Sequence, residues 1–206
     1  MGYYLKQSFV SFGYLVFMSL SAIGFLMIGN ELLWLKYLLC GLGIVLYCLV
    51  VGVVSFKDGE TAYKVMLAND LERKQIILTG EDRPLKEKEE YRVWKGFLFG
   101  LIASSPAIIL MIIHAILTAI NPVWVGAGSI ASILFMMVFS FVLVGKDLVT
   151  GVTSTLPASQ FYLCLLAVPI AVLTTGLCYM LGAKRAELRQ RMVEKKHKEI
   201  YGEDAR

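Results

Sequence analysis

Charged side chains are scarce in this chain, and their distribution is uneven. They make up 17% of the 206 residues, whereas an ordinary soluble domain has about 25%. They are almost absent from Gln7 to Phe56 and again from Gly96 to Ala183, and they concentrate in the two remaining segments. Uncharged stretches of this length exclude an ordinary soluble domain and indicate a protein embedded in a lipid bilayer.

The sequence motifs of metal, redox and hydrolytic sites are also lacking. The four cysteines form no CxxC pair and all lie in apolar runs, at Cys40, Cys48, Cys164 and Cys178. The two histidines, His114 and His197, suggest neither a catalytic triad nor a haem ligand pair. The sequence therefore predicts no cofactor, no metal and no catalytic residue, and we interpret the chain as a non-enzyme. Its net charge of +4 lies mostly in the hydrophilic segments, where it indicates membrane orientation and not nucleic-acid binding.

Five apolar runs are long enough to cross the bilayer as helices, which takes about 20 residues each. They are Gln7–Ile28, Trp34–Phe56, Gly96–Ile120, Val123–Gly145 and Gln160–Gly182. We expect an all-α integral membrane protein with about five transmembrane helices, or with four and one re-entrant element. Four parts follow along the chain: a transmembrane helical hairpin (1–56), a charged segment (57–95), a membrane region of three runs (96–182) and a basic helical tail (183–206).

The charged segment is predicted to contain an amphipathic helix. Between Glu60 and Leu78 the apolar residues recur mostly at i, i+3 and i+4, which is the period of one helix face. The stretch Thr79–Pro84 is typical of a turn. Trp94 and Lys95, which follow, are typical of residues that anchor a helix at the membrane interface.

The distribution of basic residues predicts an orientation but conflicts with five crossings. Lys and Arg number nine in the charged segment and eight in the tail, and such residues favour the cytoplasmic side. Two crossings place the N-terminus and residues 57–95 together in the cytoplasm. Three further crossings would place the tail outside, whereas its charge favours the inside. The side of the tail is therefore left open.

Polar groups within the third run form a candidate intramembrane site. His114 is an ionisable side chain inside an apolar run, and such residues are functional candidates by default. Ser104 and Ser105 precede Pro106, which removes a backbone donor and frees a carbonyl group. The alternatives are an ordinary hydrogen bond for the histidine and a simple kink at the proline.

Small residues at four-residue spacing form a candidate helix-packing interface. Gly96, Gly100 and Ser104 make one stripe, and Gly128 and Ser132 make a looser one on the next run. Small side chains let membrane helices approach closely. The stripes are compatible with a subunit interface or with packing inside the chain.

Three functions are compatible with this pattern. The leading hypothesis is a non-catalytic subunit or scaffold of a larger membrane complex, which binds a membrane-protein partner or a second copy through the charged segment and tail. The second is a small-solute transporter, or the membrane component of one. The third is a membrane-shaping protein that binds anionic lipid through Glu60–Leu78 and the basic tail.

Overall fold

The computed structural model describes residues 2–26, 32–80, 85–121, 165 and 167–201. Helix accounts for 95% of these residues, and no strand occurs among them. The α-helices are α1 (Gly2–Leu26), α2 (Leu33–Thr79), α3 (Val93–Ile120) and α4 (Ala167–Tyr201), and a short 3-10 helix covers Glu87–Glu89. The predicted all-α fold is confirmed.

Three of these helices are long and apolar enough to cross a membrane. The segments that meet this criterion are Tyr37–Thr79 in α2, Val93–Leu117 in α3 and Ala167–Ile200 in α4. They indicate a membrane-embedded protein, as predicted. The count of five is not confirmed, because α1 is not among the three and the run Val123–Gly145 lies outside the described residues.

The second apolar run and the amphipathic segment that follows it form one continuous helix. At about 1.5 Å per residue, the 47 residues of α2 extend for about 70 Å, more than twice the thickness of the hydrocarbon core. The helix ends where the sequence predicts a turn. Gly80 adopts a left-handed conformation with φ of 71°, and its N–H donates to the carbonyl of Ile76 at 2.8 Å, a cap that favours glycine.

The charged parts of the chain meet at one end of the bundle, which we call the charged end. The Arg189 guanidinium of α4 lies 3.3 Å from the Glu60 carboxylate of α2. Gln7 near the start of α1 hydrogen-bonds Asp58 of α2, and Tyr4 stacks on Trp94 at the start of α3 with ring centroids 6.2 Å apart. Therefore α1 and α3 run away from the charged end, and α2 and α4 run towards it.

Glycines allow α2 and α4 to pack with their backbones in contact. A Cβ atom on Gly59 would clash with the backbone carbonyl of Tyr179, and one on Gly182 would clash with the carbonyl of Phe56. Glycine inside a helix costs about 0.5–1 kcal/mol relative to alanine. Here the missing side chain permits close contact of the two helices, which is how membrane helices associate without a hydrophobic driving force.

Two buried clusters lie along the bundle, one at the charged end and one farther from it. The cluster farther from the charged end contains residues of all four helices: Leu15, Tyr47, Val51, Ala107, Met111, Ala167 and Ala171. The cluster at the charged end contains Ala62, Phe99 and Tyr179, with Tyr3, Tyr4 and Tyr91 packed against it. Helix α4 contributes to both clusters and packs against α2 and α3.

The backbone contact predicts a strong position dependence for glycine substitutions in α2. Gly59→Ala should destabilise the protein by about 1–3 kcal/mol, because a backbone carbonyl cannot move aside as a side chain can. Gly41→Ala is the matched control, since a Cβ atom there would meet nothing within 4 Å. Thermal unfolding in detergent should show a lower Tm for Gly59→Ala only. Equal Tm values for the two variants would contradict the contact.

Candidate functional site

The polar residues predicted as an intramembrane site lie along α3 and do not converge. Ser104 and His114 are buried, but ten residues of helix separate them by about 15 Å along the axis. Ser105 is half-buried, and its hydroxyl donates to the carbonyl of Ile102 at 2.8 Å. In a regular helix that carbonyl would accept from residue 106, which is a proline and has no N–H. Ser105 therefore replaces the donor that Pro106 lacks.

The glycine stripe of α3 is covered by α4. A Cβ atom on Gly96 would lie 2.6 Å from Cβ of Tyr179, and one on Gly100 would lie 2.8 Å from Cα of Val172. Ser104, the third member, is buried on the same helix. Gly96 and Gly100 therefore pack against α4 within the chain. Gly128 and Ser132 lie outside the described residues.

Aromatic rings from all four helices form a cluster at the charged end. Tyr91 stacks on Tyr179, with centroids 5.4 Å apart and planes inclined by 19°. Tyr63 meets the edge of Tyr91, and Phe99 packs edge-on against Tyr179 at 5.9 Å. Tyr3 and Tyr4 of α1 complete the cluster through contacts with Phe99. Burial, together with the charge of Glu187, raises the pKa of Tyr91, so its hydroxyl stays neutral at physiological pH.

A buried carboxylate ties the segment before α3 to the extension of α2. One oxygen of Glu90 accepts from the Asn69 side-chain amide at 2.8 Å and from Arg73 at 2.6 Å. The backbone N–H of Lys86 donates to the Asn69 side-chain oxygen at 3.4 Å. Tyr91 adds a backbone bond, donating to the carbonyl of Ala62 at 3.1 Å. A buried charge needs such partners, because an unpaired one would be strongly destabilising.

Lys95 is directed inward, although the sequence predicts an interfacial anchor at this position. Its side chain is only 1% exposed, and its ammonium group donates to the carbonyls of Lys88 at 2.8 Å and Glu90 at 2.6 Å. The same group lies 5.9 Å from the ring centroid of Tyr4. Lys95 thus links α3 to the preceding loop and to α1. Neighbouring Trp94 is about half exposed and retains the character of an anchor.

A cavity of about 460 Å³ lies between α2 and α4 near the charged end; we call it the α2–α4 groove. Its apolar part includes Leu49, Val53 and Phe56, together with the thiols of Cys48 and Cys178. The Thr174 hydroxyl lies 3.6 Å from the Cys48 sulfur, to which it donates. Its charged part contains Lys57, Glu60 and Arg185.

The charges in the groove are not equally available to a ligand. Glu60 is 2.9 Å from Lys64 and 3.3 Å from Arg189, so its carboxylate is already paired with two cations. Lys57 and Arg185 are exposed and have no ion pair within the described part of the chain. The Arg185 guanidinium lies 5.6 Å from the ring centroid of Phe56, a contact that leaves its N–H groups available to an anion.

A second cavity of about 450 Å³ lies beside the aromatic cluster. It is bordered by Tyr63 and Tyr91 and by Leu177, Lys184 and Glu187 of α4. Neither cavity contains Ser104, Ser105 or His114. Across the described ranges, no three His, Cys, Asp or Glu side chains converge as a metal site would require.

Comparison with protein-family models, with curated proteins and with solved structures found no match to this chain. The sequence pattern did not reveal the aromatic cluster or the buried Lys95. The tyrosines near the ends of the apolar runs were a signal, since aromatic residues gather at membrane interfaces.

The buried lysine predicts a local loss of order on substitution. Lys95→Met keeps the length of the side chain but removes the ammonium group, and should destabilise the protein by about 2–4 kcal/mol because two carbonyls lose a charged donor. Hydrogen exchange of the Tyr91 amide should become faster in this variant. Lys88→Met is the matched control, because the Lys88 residue is exposed and its carbonyl is unchanged. Unchanged exchange in Lys95→Met would contradict the role of the ammonium group.

Proposed function

We propose that this chain is a non-catalytic multi-pass membrane protein that serves as a subunit or scaffold of a larger membrane complex. The observation that carries the proposal is a set of large apolar side chains exposed beyond the apolar parts of α2 and α4. Ile77 and Leu78 are 83% and 84% exposed at the end of α2, and Val193 and Ile200 are 66% and 71% exposed on α4. Isolated exposed apolar residues are common, but these lie on two helices that extend together from one end of the bundle.

The extensions are long enough to present a surface to another protein. Residues 57–79 of α2 correspond to about 34 Å of helix, and residues 184–201 of α4 to about 27 Å. Their bases are joined by the Glu60–Arg189 ion pair, and the bonds around Glu90 hold the segment before α3 against the extension of α2. A surface fixed in this way loses little conformational entropy on binding.

The polar groups at the charged end support a binding function in preference to catalysis. The side chains of Asn69 and Arg73 both donate to the Glu90 carboxylate, and the Lys95 ammonium group donates to backbone carbonyls. These groups hold the loop and helices in place. The partner that fits the exposed apolar residues and interspersed charges is a membrane protein with its own extramembrane helices, or a second copy of this chain.

The same arrangement supports a particular topology. The tail of α4 lies beside the extension of α2, so a single side of the membrane suits both basic regions, and the positive-inside rule makes that side the cytoplasm. In this topology α3 leaves the cytoplasm and α4 returns to it. The proposal therefore favours four crossings with a re-entrant element over five full crossings.

Labelling of single cysteines with a membrane-impermeant maleimide tests this topology. In a background without the native cysteines, Lys74→Cys and Lys195→Cys should be protected in intact cells and labelled after permeabilisation. Asn121→Cys, at the opposite end of α3, should be labelled in intact cells. Labelling of Lys74→Cys and Lys195→Cys from opposite sides would exclude the topology.

Charge placed on the exposed apolar residues should weaken assembly. Leu78→Asp puts a carboxylate on a surface that a partner would bury, which should reduce complex formation about tenfold or more. Thr61→Asp adds the same charge at an exposed position lower on α2 and should have little effect. Native mass spectrometry in mild detergent, with crosslinking in membranes, measures assembly with a second copy or another subunit. A wild-type chain that is monomeric and without a partner in both measurements would contradict the proposal.

A further inference from the structure

We infer that the α2–α4 groove binds one anionic phospholipid, with its phosphate between Lys57 and Arg185 and an acyl chain along the apolar wall of α2. The inference is independent of the proposed partner surface, which lies farther out on both helices. Three observations support it: the position of the groove, the change from apolar to charged side chains along its length, and the basic residues at its charged end.

The position of the groove suits a lipid. It spans the point at which the apolar run of α2 ends at Phe56 and charged residues begin at Lys57. Leu49 and Val53, on its apolar wall, are exposed in the chain, and in a bilayer they would face acyl chains. From Cys48 to Phe56 the wall extends for about 12 Å. An amphipathic ligand would fit this groove, with its apolar tail along the apolar wall and its polar head beside the charged residues.

The charges favour an anionic headgroup. Lys57 and Arg185 approach the same end of the groove from different helices, and neither has an ion pair within the described residues. The nearby carboxylate of Glu60 is compensated by Lys64 and Arg189. Arg185 and Lys57 together can offer several N–H donors to phosphate oxygens. Basic pockets between membrane helices are known to bind anionic headgroups in this way.

Close packing gives the groove its floor. Gly52 has no side chain, and a Cβ atom there would lie 3.1 Å from the Cys178 sulfur. The small residue at this position leaves α4 close to α2 at the bottom of the groove, while the exposed apolar side chains of α2 form its rim. A ligand in the groove would therefore contact both helices, which is the geometry in which a lipid can stabilise their association.

Native mass spectrometry of the full chain tests the inference, with phosphatidylglycerol and phosphatidylcholine of identical acyl chains as probes. The wild type should retain one phosphatidylglycerol in preference to phosphatidylcholine. Lys57→Gln with Arg185→Gln should weaken phosphatidylglycerol binding about twentyfold, because each basic residue contributes to the attraction of an anionic lipid. Lys195→Gln with Lys196→Gln removes the same charge from the exposed tail and should leave binding unchanged.

Two further variants keep the test decisive if the double glutamine variant does not fold. Glu60→Gln removes a negative charge from the groove and should strengthen phosphatidylglycerol binding, a gain that misfolding cannot produce. Lys57→Arg with Arg185→Lys keeps both charges and should retain binding. Inorganic phosphate at the same concentration should not displace the lipid, since it leaves the apolar wall uncovered. Equal retention of both lipids, or equal losses in the groove and tail variants, would overturn the inference.

Discussion

The contact between the backbones of α2 and α4 is the constraint on which the rest of this structure depends. Gly59 faces the carbonyl of Tyr179, and Gly182 faces the carbonyl of Phe56, so each helix supplies one glycine to the other. Bilayer lipid is as apolar as the helices, and therefore burial alone does not hold them together. Close approach increases van der Waals contact along both helices. It also fixes how the two helices are aligned along their axes, which brings Glu60 beside Arg189 and lets Tyr179 stack on Tyr91.

This axial alignment of α2 and α4 explains why many polar groups at the charged end have hydrogen-bond partners. Once α4 is fixed against α2, Tyr179 provides a surface for Tyr91, and the loop containing Tyr91 lies along the extension of α2. Glu90 can then reach Asn69 and Arg73, and Lys95 can reach the carbonyls of the loop. The polar bonds are worth more here than on an open surface, because the groups that make them are shielded from water. Packing and hydrogen bonding thus stabilise the same arrangement.

The sequence predicts the local features of this fold well. Long uncharged runs identify the apolar helices, and the third run and α3 both end at Ile120. Thr79 and Gly80 predict the end of α2, because a left-handed residue after a helix favours glycine. Each of these features depends on a few neighbouring residues. The number of crossings is a different kind of property, since it depends on the whole chain and on residues 122–164, which the structure does not describe.

Contacts between distant parts of the chain could not be predicted in the same way. Gly59 lies among charged residues, and nothing in its neighbourhood indicates that Tyr179 packs there. Lys95 beside Trp94 has the composition of an interfacial anchor, yet the loop carbonyls of Lys88 and Glu90 draw its ammonium group inward. The predicted polar site on α3 shows the same limit, because the sequence identifies Ser104, Ser105 and His114 but not the distance between them.

The position of unpaired charge distinguishes a ligand site from a structural one in this chain. Inside the apolar region, the Ser105 hydroxyl compensates for the donor missing at Pro106. At the base of the extensions, Glu90 and Lys95 are fully engaged with neighbouring groups. In the α2–α4 groove, by contrast, Lys57 and Arg185 adjoin an apolar wall, and within the described residues neither forms a close ion pair, since Glu60 pairs with Lys64 and Arg189. An anion bound between these two cations would be attracted by both of them. A phospholipid supplies that anion at the depth where the groove lies, and its acyl chain covers the wall that a soluble anion would leave exposed.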